Sequence, residues 1–291
     1  MEPKAQDDSL AAFLNVRPRL FGIAYRMLGS AAEAEDIVQD VWLRWQAADR
    51  SVVRDPPAFL ATTATRLAIN VAQSARSRRE AYVGPWLPEP VDTSGDPHLG
   101  AERGQALEFA VLLLLEKLSP TERAAYVLRE AFDYPYRQIA DILQLEEANA
   151  RQLVTRARQH IADGRRTPVD STEQRRLLEA FIAAARKGDV AALESLFASD
   201  VISYSDGGGV VRTAARAAIA GSGRVARFIA SFAWHFWTDV TVEFISTNGQ
   251  TSLLISRYSD AVGFVAIDAS AEGIHQIMWI LRPSKLTAIA K

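Results

Sequence analysis

LSPTERAAYVLREAFDYPYRQIADILQLEEANARQLVTRARQHI, from Leu118 to Ile161, is the stretch that decides the fold of this chain. Ile139, Ile142 and Leu143 share one face of a short predicted helix, and residues 144–147 form a turn. The next predicted helix directs a set of small and apolar side chains inward: Ala150, Leu153, Val154, Ala157 and Ile161. Two helices joined by a tight turn, the second of them basic, predict a helix-turn-helix unit that fits the major groove of DNA.

Arginines give this unit a local positive charge. Between Glu147 and Arg166, five arginines accompany two acidic residues, for a local formal charge of +3, whereas the whole chain carries −2. Any binding to DNA would therefore depend on local patches. The alternative interpretation is a bundle of packed helices whose arginines are simply solvated.

The composition limits the class of protein. The chain has 291 residues, 48% of them hydrophobic, which is enough for two or three compact domains. It lacks the run of about 20 apolar residues that a membrane span needs. Its first ten residues lack the basic start and apolar core of a signal peptide. Since cysteine is absent, disulfides and thiolate metal sites are excluded. We expect a cytoplasmic protein with no metal, no cofactor and no membrane contact.

An acidic helix lies upstream, in SAAEAEDIVQDVWLRW from Ser30 to Trp45. Ser30 and Glu33 have the spacing of a capping box. The buried stripe is predicted to contain Ala34, Ile37, Val38, Val41 and Trp45. Glu33, Asp36 and Asp40 then share one exposed side, called the acidic face below. This face is either merely solvated or a docking surface for a basic partner helix.

A basic helix follows. It is predicted to begin at Pro57 and to end in Arg-Ser-Arg-Arg at 76–79, with four arginines and no acid between Arg66 and Arg79. Arg66, Asn70 and Ser74 are four residues apart and form a polar stripe. Such a stripe suits a surface that tracks phosphates and reads base edges. The alternative is a basic helix end that pairs with its own helix dipole.

AEAEDIVQDVWLRW, RLAINVAQSARSRR and LSPTERAAYVLRE with YRQIADIL and RQLVTRAR, in this order, resemble an extracytoplasmic-function (ECF) sigma factor. The resemblance covers roughly residues 8–163. It implies a bacterial RNA polymerase subunit that directs promoter-specific initiation and is not an enzyme. Sigma domain 2 would span 8–80 and sigma domain 4 would span 105–164, separated by a linker at 81–104.

The resemblance also implies partners. Domain 2 would bind the clamp helices of the β′ subunit of core RNA polymerase, domain 4 the flap of the β subunit, and both would contact promoter DNA. The polymerase-binding positions would be Asp36, Gln39, Asp40, Trp42 and Leu43. The single-stranded −10 element would be bound by Arg66, Asn70, Ser74, Arg76, Arg78 and Arg79. The −35 duplex would be read by Asn149, Arg151, Gln152, Thr155, Arg156 and Arg158.

This chain departs from the family pattern at two places in the helix-turn-helix. Many relatives carry Gly-Val-Ser at the turn, where this chain has Gln144, Leu145 and Glu146. Leu153 also stands where many relatives carry an arginine.

The linker and the C-terminal part differ from the helical segments. The linker contains four prolines and the motif Trp86-Leu-Pro-Glu-Pro90, so we expect an extended connection. Residues 172–291 begin with two helices, the first capped by Ser171, and continue with strands. Asp206–Gly209 and Asn248-Gly249 are predicted to be hairpin turns, the first between strands 201–205 and 210–213. The expected fold is two all-α domains followed by an α+β cone that resembles the SnoaL-like branch of the NTF2-like fold.

Sigma factors with this appendage resemble a recognised sigma-J-like group, in which the fused domain adjusts activity in cis. Its motifs predict a set of interdomain regulatory residues: Trp86, Leu87, Pro88, Glu89, Pro90, Asp206, Gly207, Gly208, Gly209, Arg282, Pro283, Lys285 and Leu286. Two motifs are altered, because Val210 replaces a lysine and Arg282-Pro-Ser-Lys-Leu286 replaces NPDKL.

Two other functions are weighed against this one. The first is a helix-turn-helix regulator with a ligand-sensing C-terminal domain, so a small ligand there is a candidate partner. The second is a SnoaL-type cyclase or isomerase, with Asp206, His235, Asp239, Asp268 and His275 as candidate acids and bases. In that case His275 and Asp268 would form a cross-strand pair.

Overall fold

The computed structural model describes residues 3–93 and 107–290, apart from the side chains of residues 3–8, Arg76 and Ser77. The described residues divide into two compact units. One contains 3–78, 107 and 111–164, and the other contains 79–93, 108–110 and 165–290. No helix within these described ranges is long and apolar enough to cross a lipid bilayer.

The first unit begins with three long helices. They are α1 (Pro3–Leu28), α2 (Ala31–Ala47) and α3 (Pro56–Glu80), with a 3-10 turn at Arg50–Val52. Pro18 was expected to interrupt the first helix, and this was wrong: α1 continues through it. Proline removes one backbone hydrogen bond, but Phe13 before it and Leu20 after it are both buried, so packing keeps the helix continuous.

The helix-turn-helix lies in the same unit. It follows α4 (Phe109–Leu115), of which residues 111–115 belong to this unit, and consists of α5 (Pro120–Glu130), α6 (Tyr136–Leu143) and α7 (Glu147–Gly164). Ser119 and Glu122 form a capping box at the start of α5. At the turn, Gln144 takes the left-handed conformation at φ 57° that glycine supplies in many relatives.

Arg123 joins the two helical segments inside this unit. Its guanidinium donates to the carbonyl oxygen of Met27 at 2.6 Å and pairs with Glu116 at 2.7 Å, and the residue is 4% exposed. The guanidinium of Arg26 also lies 5.1 Å from the ring centroid of Phe132. The end of α1 is therefore fixed against the end of α5.

The second unit consists mainly of an α+β domain. Its helices are α8 (Ser171–Lys187), α9 (Val190–Leu196), α10 (Ser222–Ser231) and α11 (Ala233–Phe236). Its strands are β1 (Phe197–Asp206), β2 (Ile219–Ala220), β3 (Thr241–Thr247), β4 (Gln250–Arg257), β5 (Asp260–Ser270) and β6 (Gly273–Ile280), and a 3-10 turn follows at Pro283–Lys285.

The six strands form one sheet in the order β2-β1-β6-β5-β4-β3, with β1 parallel to β6 and the other pairs antiparallel. One face packs against α8 and α10 through an aromatic cluster. The ring of Trp279 lies 5.9 Å from each of Phe181, Phe232 and Phe236. The predicted fold class, helical segments followed by an α+β domain, is confirmed.

Two local predictions in this domain were wrong. The cap of α8 is Asp170, whose carboxylate accepts from the backbone N–H of Glu173, and not Ser171. No strand forms at 210–213; after β1 the chain makes a turn at Gly207, whose carbonyl accepts from Val210 and Val211. A closed turn satisfies these backbone groups locally, so a second strand is not required.

We predict that Gly273→Ala destabilises the C-terminal domain more than Gly221→Ala. Both glycines have positive φ, +116° and +93°, which costs a residue with a side chain about 1–3 kcal/mol. A Cβ at Gly273 would also lie 2.8 Å from the carbonyl oxygen of Leu196, whereas a Cβ at Gly221 meets nothing within 4 Å. Urea unfolding of the two variants measures the difference, and equal losses would contradict the predicted backbone clash.

Candidate nucleic-acid interface and linker hub

The acidic face of α2 is presented as the sequence predicts. Ser30 accepts from the backbone N–H of Glu33 at 3.2 Å and starts the helix, and Ile37, Val38 and Val41 are buried. The predicted polymerase-binding residues Asp36, Gln39, Asp40 and Leu43 are exposed, and Trp42 is half-buried with its ring 4.9 Å from that of Phe13. Leu43 is 61% exposed. Carboxylates around an exposed leucine can bind a basic surface that also offers an apolar contact.

Arg66, on the predicted −10 surface, contacts α6. Its Nε donates to the carbonyl oxygen of Ile142 at 2.9 Å, and its Nη2 donates to that of Asp141 at 3.2 Å. These carbonyls belong to the last turn of α6, where the helix dipole attracts a cation. The arginine therefore lies against the helix-turn-helix in this structure.

The remaining −10 positions are divided among different contacts. Asn70 and Ser74 are exposed on α3, and Arg78 donates to Ser74 at 3.3 Å and pairs with Glu33. The guanidinium of Arg79 lies 3.5 Å from the ring centroid of Trp86. The side chain of Arg76 lies outside the described residues. Sequence spacing alone did not indicate these contacts.

The predicted −35 side chains all project from the exposed side of α7: Asn149, Arg151, Gln152, Thr155, Arg156 and Arg158. The three arginines pair with Glu147 at 2.7 Å, Glu122 at 3.3 Å and Glu130 at 2.7 Å, respectively. The hydrogen bond to Glu130 raises the pKa of Arg158. Exposed ion pairs of this kind contribute about 0–1 kcal/mol, so phosphates can displace the carboxylates.

The linker binds the C-terminal domain through one buried carboxylate, that of Asp206 at the end of β1. Asp206 is 0% exposed. It accepts from the Tyr82 hydroxyl at 2.6 Å, from the Leu87 backbone N–H at 2.9 Å and from Lys285 Nζ at 2.8 Å. Lys285 also donates to the carbonyl oxygen of Leu87. We call Tyr82, Leu87, Asp206 and Lys285 the linker hub.

Burial sets the electrostatics of the linker hub. Burial lowers the pKa of Lys285, and the nearby Asp206 carboxylate opposes that shift. Burial and the hydrogen bond to Asp206 raise the pKa of Tyr82 to about 12. The Tyr82 hydroxyl, which accepts from Arg282 at 3.3 Å, raises the pKa of that guanidinium. An ion pair satisfied on both sides stabilises the bound linker only while both partners remain.

The three glycines after Asp206 allow close approach. A Cβ on Gly208, at φ +58°, would lie 2.7 Å from Cδ of Arg282, and one on Gly209, at φ +72°, would lie 3.0 Å from Cβ of Val83. The predicted regulatory motifs therefore meet at one place. Leu87, Pro88, Pro90 and Leu286 are buried, Trp86, Glu89 and Arg282 are half-buried, and Pro283 is exposed.

Sequence reasoning missed two residues of this contact. Tyr82 precedes the Trp86–Pro90 motif and carries no signal of its own. Asn248 was interpreted only as a turn residue, but it is fully buried, and its Oδ1 accepts from the Val91 N–H at 2.9 Å while its own N–H donates to the Val91 carbonyl oxygen at 3.0 Å. Thr93 then donates to the carbonyl oxygen of Ser246, so the linker extends the β3 edge.

The candidate catalytic side chains are engaged elsewhere. His275 lies 2.7 Å from Asp200 Oδ1 and 2.8 Å from Ser270 Oγ, and its hydrogen bond lowers the pKa of Asp200. Asp268 is opposite Gln276 across the strands, so the suggested pair with His275 is replaced by Asp200. Asp206 lies in the linker hub. Within the described residues, no group of three or more His, Asp or Glu side chains is arranged to hold a metal ion.

Comparison with known proteins assigns the helical segments. Residues 13–79 match Sigma-70 region 2, and residues 108–161 match Sigma-70, region 4. The ECF RNA polymerase sigma factor SigJ of Mycobacterium tuberculosis is 39% identical over 76% of this chain and 72% of its own length. The probable ECF RNA polymerase sigma factor SigI of the same organism is 30% identical over 96% of this chain and 95% of its own length.

A solved structure extends the match to the C-terminal domain. The crystal structure of Mycobacterium tuberculosis extracytoplasmic function sigma factor SigJ superposes with a TM-score of 0.76 at 30% identity, covering 96% of this chain and 98% of that one. These relatives are transcription initiation factors and not enzymes. With both sigma regions in order and the α+β domain after them, this chain belongs to the ECF RNA polymerase sigma factors.

Proposed function

We propose that this sigma factor binds the β′ clamp helices of core RNA polymerase through the side of α2 that carries Asp36, Gln39, Asp40, Trp42 and Leu43. Sigma factors bind core polymerase and promoter DNA, and the exposed carboxylates beside an exposed Leu43 support this particular surface. That juxtaposition is the observation that carries the proposal, because neither a solvated face nor a core face would combine the two. The domains are proposed at 8–80 and 105–164, with the linker at 81–104 and the fused domain at 172–291.

The DNA contacts are proposed on α3 and α7. Asn70 and Ser74 are exposed and would read an extruded base of the −10 element, with Arg66, Arg76, Arg78 and Arg79 on its phosphates. The exposed polar side of α7 would enter the major groove at the −35 element, while domain 4 binds the β flap. Three arginines of α7 are in exposed ion pairs, which a phosphate can replace at little expense in free energy.

Control in cis is proposed to act through the linker hub. The linker joins the two DNA-binding segments, and Asp206 and Lys285 bind it to the fused domain. A bound linker would restrict how far the two segments can separate on a promoter. Arg66 supports the same idea, since it cannot contact DNA phosphates while it donates to the carbonyls of α6.

The first test neutralises the acidic face. Asp36→Asn with Asp40→Asn is expected to weaken binding to core polymerase about tenfold or more, since complementary charges across an interface are lost. Fluorescence anisotropy of the labelled full chain titrated with core enzyme measures the affinity. Glu179→Gln with Glu272→Gln, two exposed acids of the fused domain, is the matched control. If the double variant bound as tightly as the control, this surface would be wrong.

The second test breaks the linker hub. Lys285→Met leaves the buried Asp206 carboxylate without its cation, a change that destabilises such a site by about 3–5 kcal/mol. The linker should then detach, and the yield of promoter-dependent transcript in a run-off assay with purified core enzyme should rise. The exposed Lys187→Met serves as the control for loss of a lysine.

Truncation tests the same control from another side. A chain ending at Ala288 keeps Lys285 but loses Ile289, which is 6% exposed, whereas a chain ending at Gly164 loses the whole fused domain. The two forms are expected to differ in transcript yield from each other and from the full chain. Equal yields from all forms, with an unaltered Lys285→Met variant, would remove cis control.

Tyr82 reports on the bound linker by its titration. Its ordinary pKa of 10.0 is raised to about 12 in the folded chain, so its contribution to stability is complete below pH 10 and is lost as the pH rises toward 12. The absorbance of tyrosinate after a rapid pH jump should show one late phenolate that disappears in Tyr82→Phe. Tyr258→Phe, at an 82% exposed site, should leave the late phase unchanged. A late phase that survives in Tyr82→Phe would assign it to another buried tyrosine such as Tyr204.

A further inference from the structure

A cavity of about 830 Å³ opens on the C-terminal domain, on the sheet face opposite the aromatic cluster. Leu254 and Ser256 of β4 line it, whereas Leu253 and Ile255 between them point into the core. Its other walls come from β3, from Asp92 of the linker and from the C-terminal residues Ile289 and Ala290. The cavity is therefore distinct from the filled side of the sheet.

The charge of this cavity is negative. Asp92, Asp239 and Glu243 contribute carboxylates, and no lysine, arginine or histidine is among the described residues that line it. Glu243 alternates with Thr241 and Ile245 along β3, so these three side chains share the face that borders the cavity. Carboxylates in a partly enclosed cavity attract a cation more strongly than carboxylates in open water.

A buried hydroxyl in the wall is unsatisfied. Thr247 lines the cavity and is only 1% exposed, and its Oγ1 has no hydrogen-bond partner among the described residues. Buried polar atoms of this kind are uncommon, because desolvation without a partner is unfavourable. A hydroxyl oxygen can accept from an ammonium group, so its position is independent evidence for a polar occupant.

The remaining lining is suited to a hydrocarbon body. Ile245, Leu254 and Ile289 provide apolar surface, and the ring of Tyr258, 82% exposed, stands at the edge. An aromatic face attracts cations as well as apolar groups. Few polar groups placed on an apolar lining are the usual composition of a small-molecule site.

We infer that this cavity binds a small organic ammonium compound, with the charged nitrogen toward Asp239 and Glu243 and an apolar body on Leu254 and Ile289. A phosphorylated or carboxylated metabolite would meet only like charge there. Because Asp92 and Ile289 belong to the linker and the C-terminal end, an occupant would contact both. The inference goes beyond the proposed sigma function and holds whether or not the linker exerts control in cis.

Three probes of one size test the charge requirement on the full chain. They are the phenethylammonium ion, the neutral 2-phenylethanol and the phenylacetate anion, each titrated by isothermal calorimetry. The ammonium ion should bind saturably, the alcohol about tenfold more weakly or less, and the anion should give no saturable heat. No saturable binding of the ammonium ion, or equal binding of the alcohol, would overturn the inference.

Variants place the site. Asp239→Asn with Glu243→Gln should weaken binding of the phenethylammonium ion about tenfold or more, since two charges are removed and the shape is retained. Glu179→Gln with Glu272→Gln removes two acids that do not line the cavity and should leave the affinity unchanged. Thermal unfolding of each variant verifies the fold. Equal affinity in the two double variants would mean that the ammonium ion binds elsewhere, and the assignment to this cavity would be wrong.

Discussion

The buried ion pair between Asp206 and Lys285 is the interaction on which the organisation of the linker depends. Two charges removed from water stabilise a structure only when each finds its full set of partners. Here Tyr82 and the N–H of Leu87 complete the carboxylate, and the carbonyl oxygen of Leu87 completes the ammonium. The linker supplies three of these groups, so the pair is satisfied only while the linker is bound.

The DNA-binding segments follow the opposite design. Their arginines form exposed pairs with nearby glutamates or, for Arg66, accept the end of a neighbouring helix as a partner. Such contacts neutralise the charges at little gain in stability, so they can be exchanged for phosphates. A strongly bound linker and weakly paired arginines together suit a protein whose DNA contacts are to be formed on a partner.

Sequence reasoning succeeded where a local pattern decides the structure. The capping box at Ser119, the left-handed stops at Gly29 and Gly188 and the hairpin at Asn248-Gly249 all depend on residues within a few positions of each other. It failed where distant packing prevails. Pro18 remains inside α1, and the glycines after Asp206 end a strand and make room for Arg282 without starting a hairpin.

Periodicity and motif order were sufficient to establish the helical segments, the α+β domain and the ECF sigma family, because apolar spacing and caps act over one or two helical turns. Only the tertiary structure revealed that Tyr82, Asp206 and Lys285 meet, since 124 residues separate the first from the second and 79 separate the second from the third. Burial then decides their chemistry. A carboxylate, a phenol and an amine acquire a shared role only when folding removes them from water together.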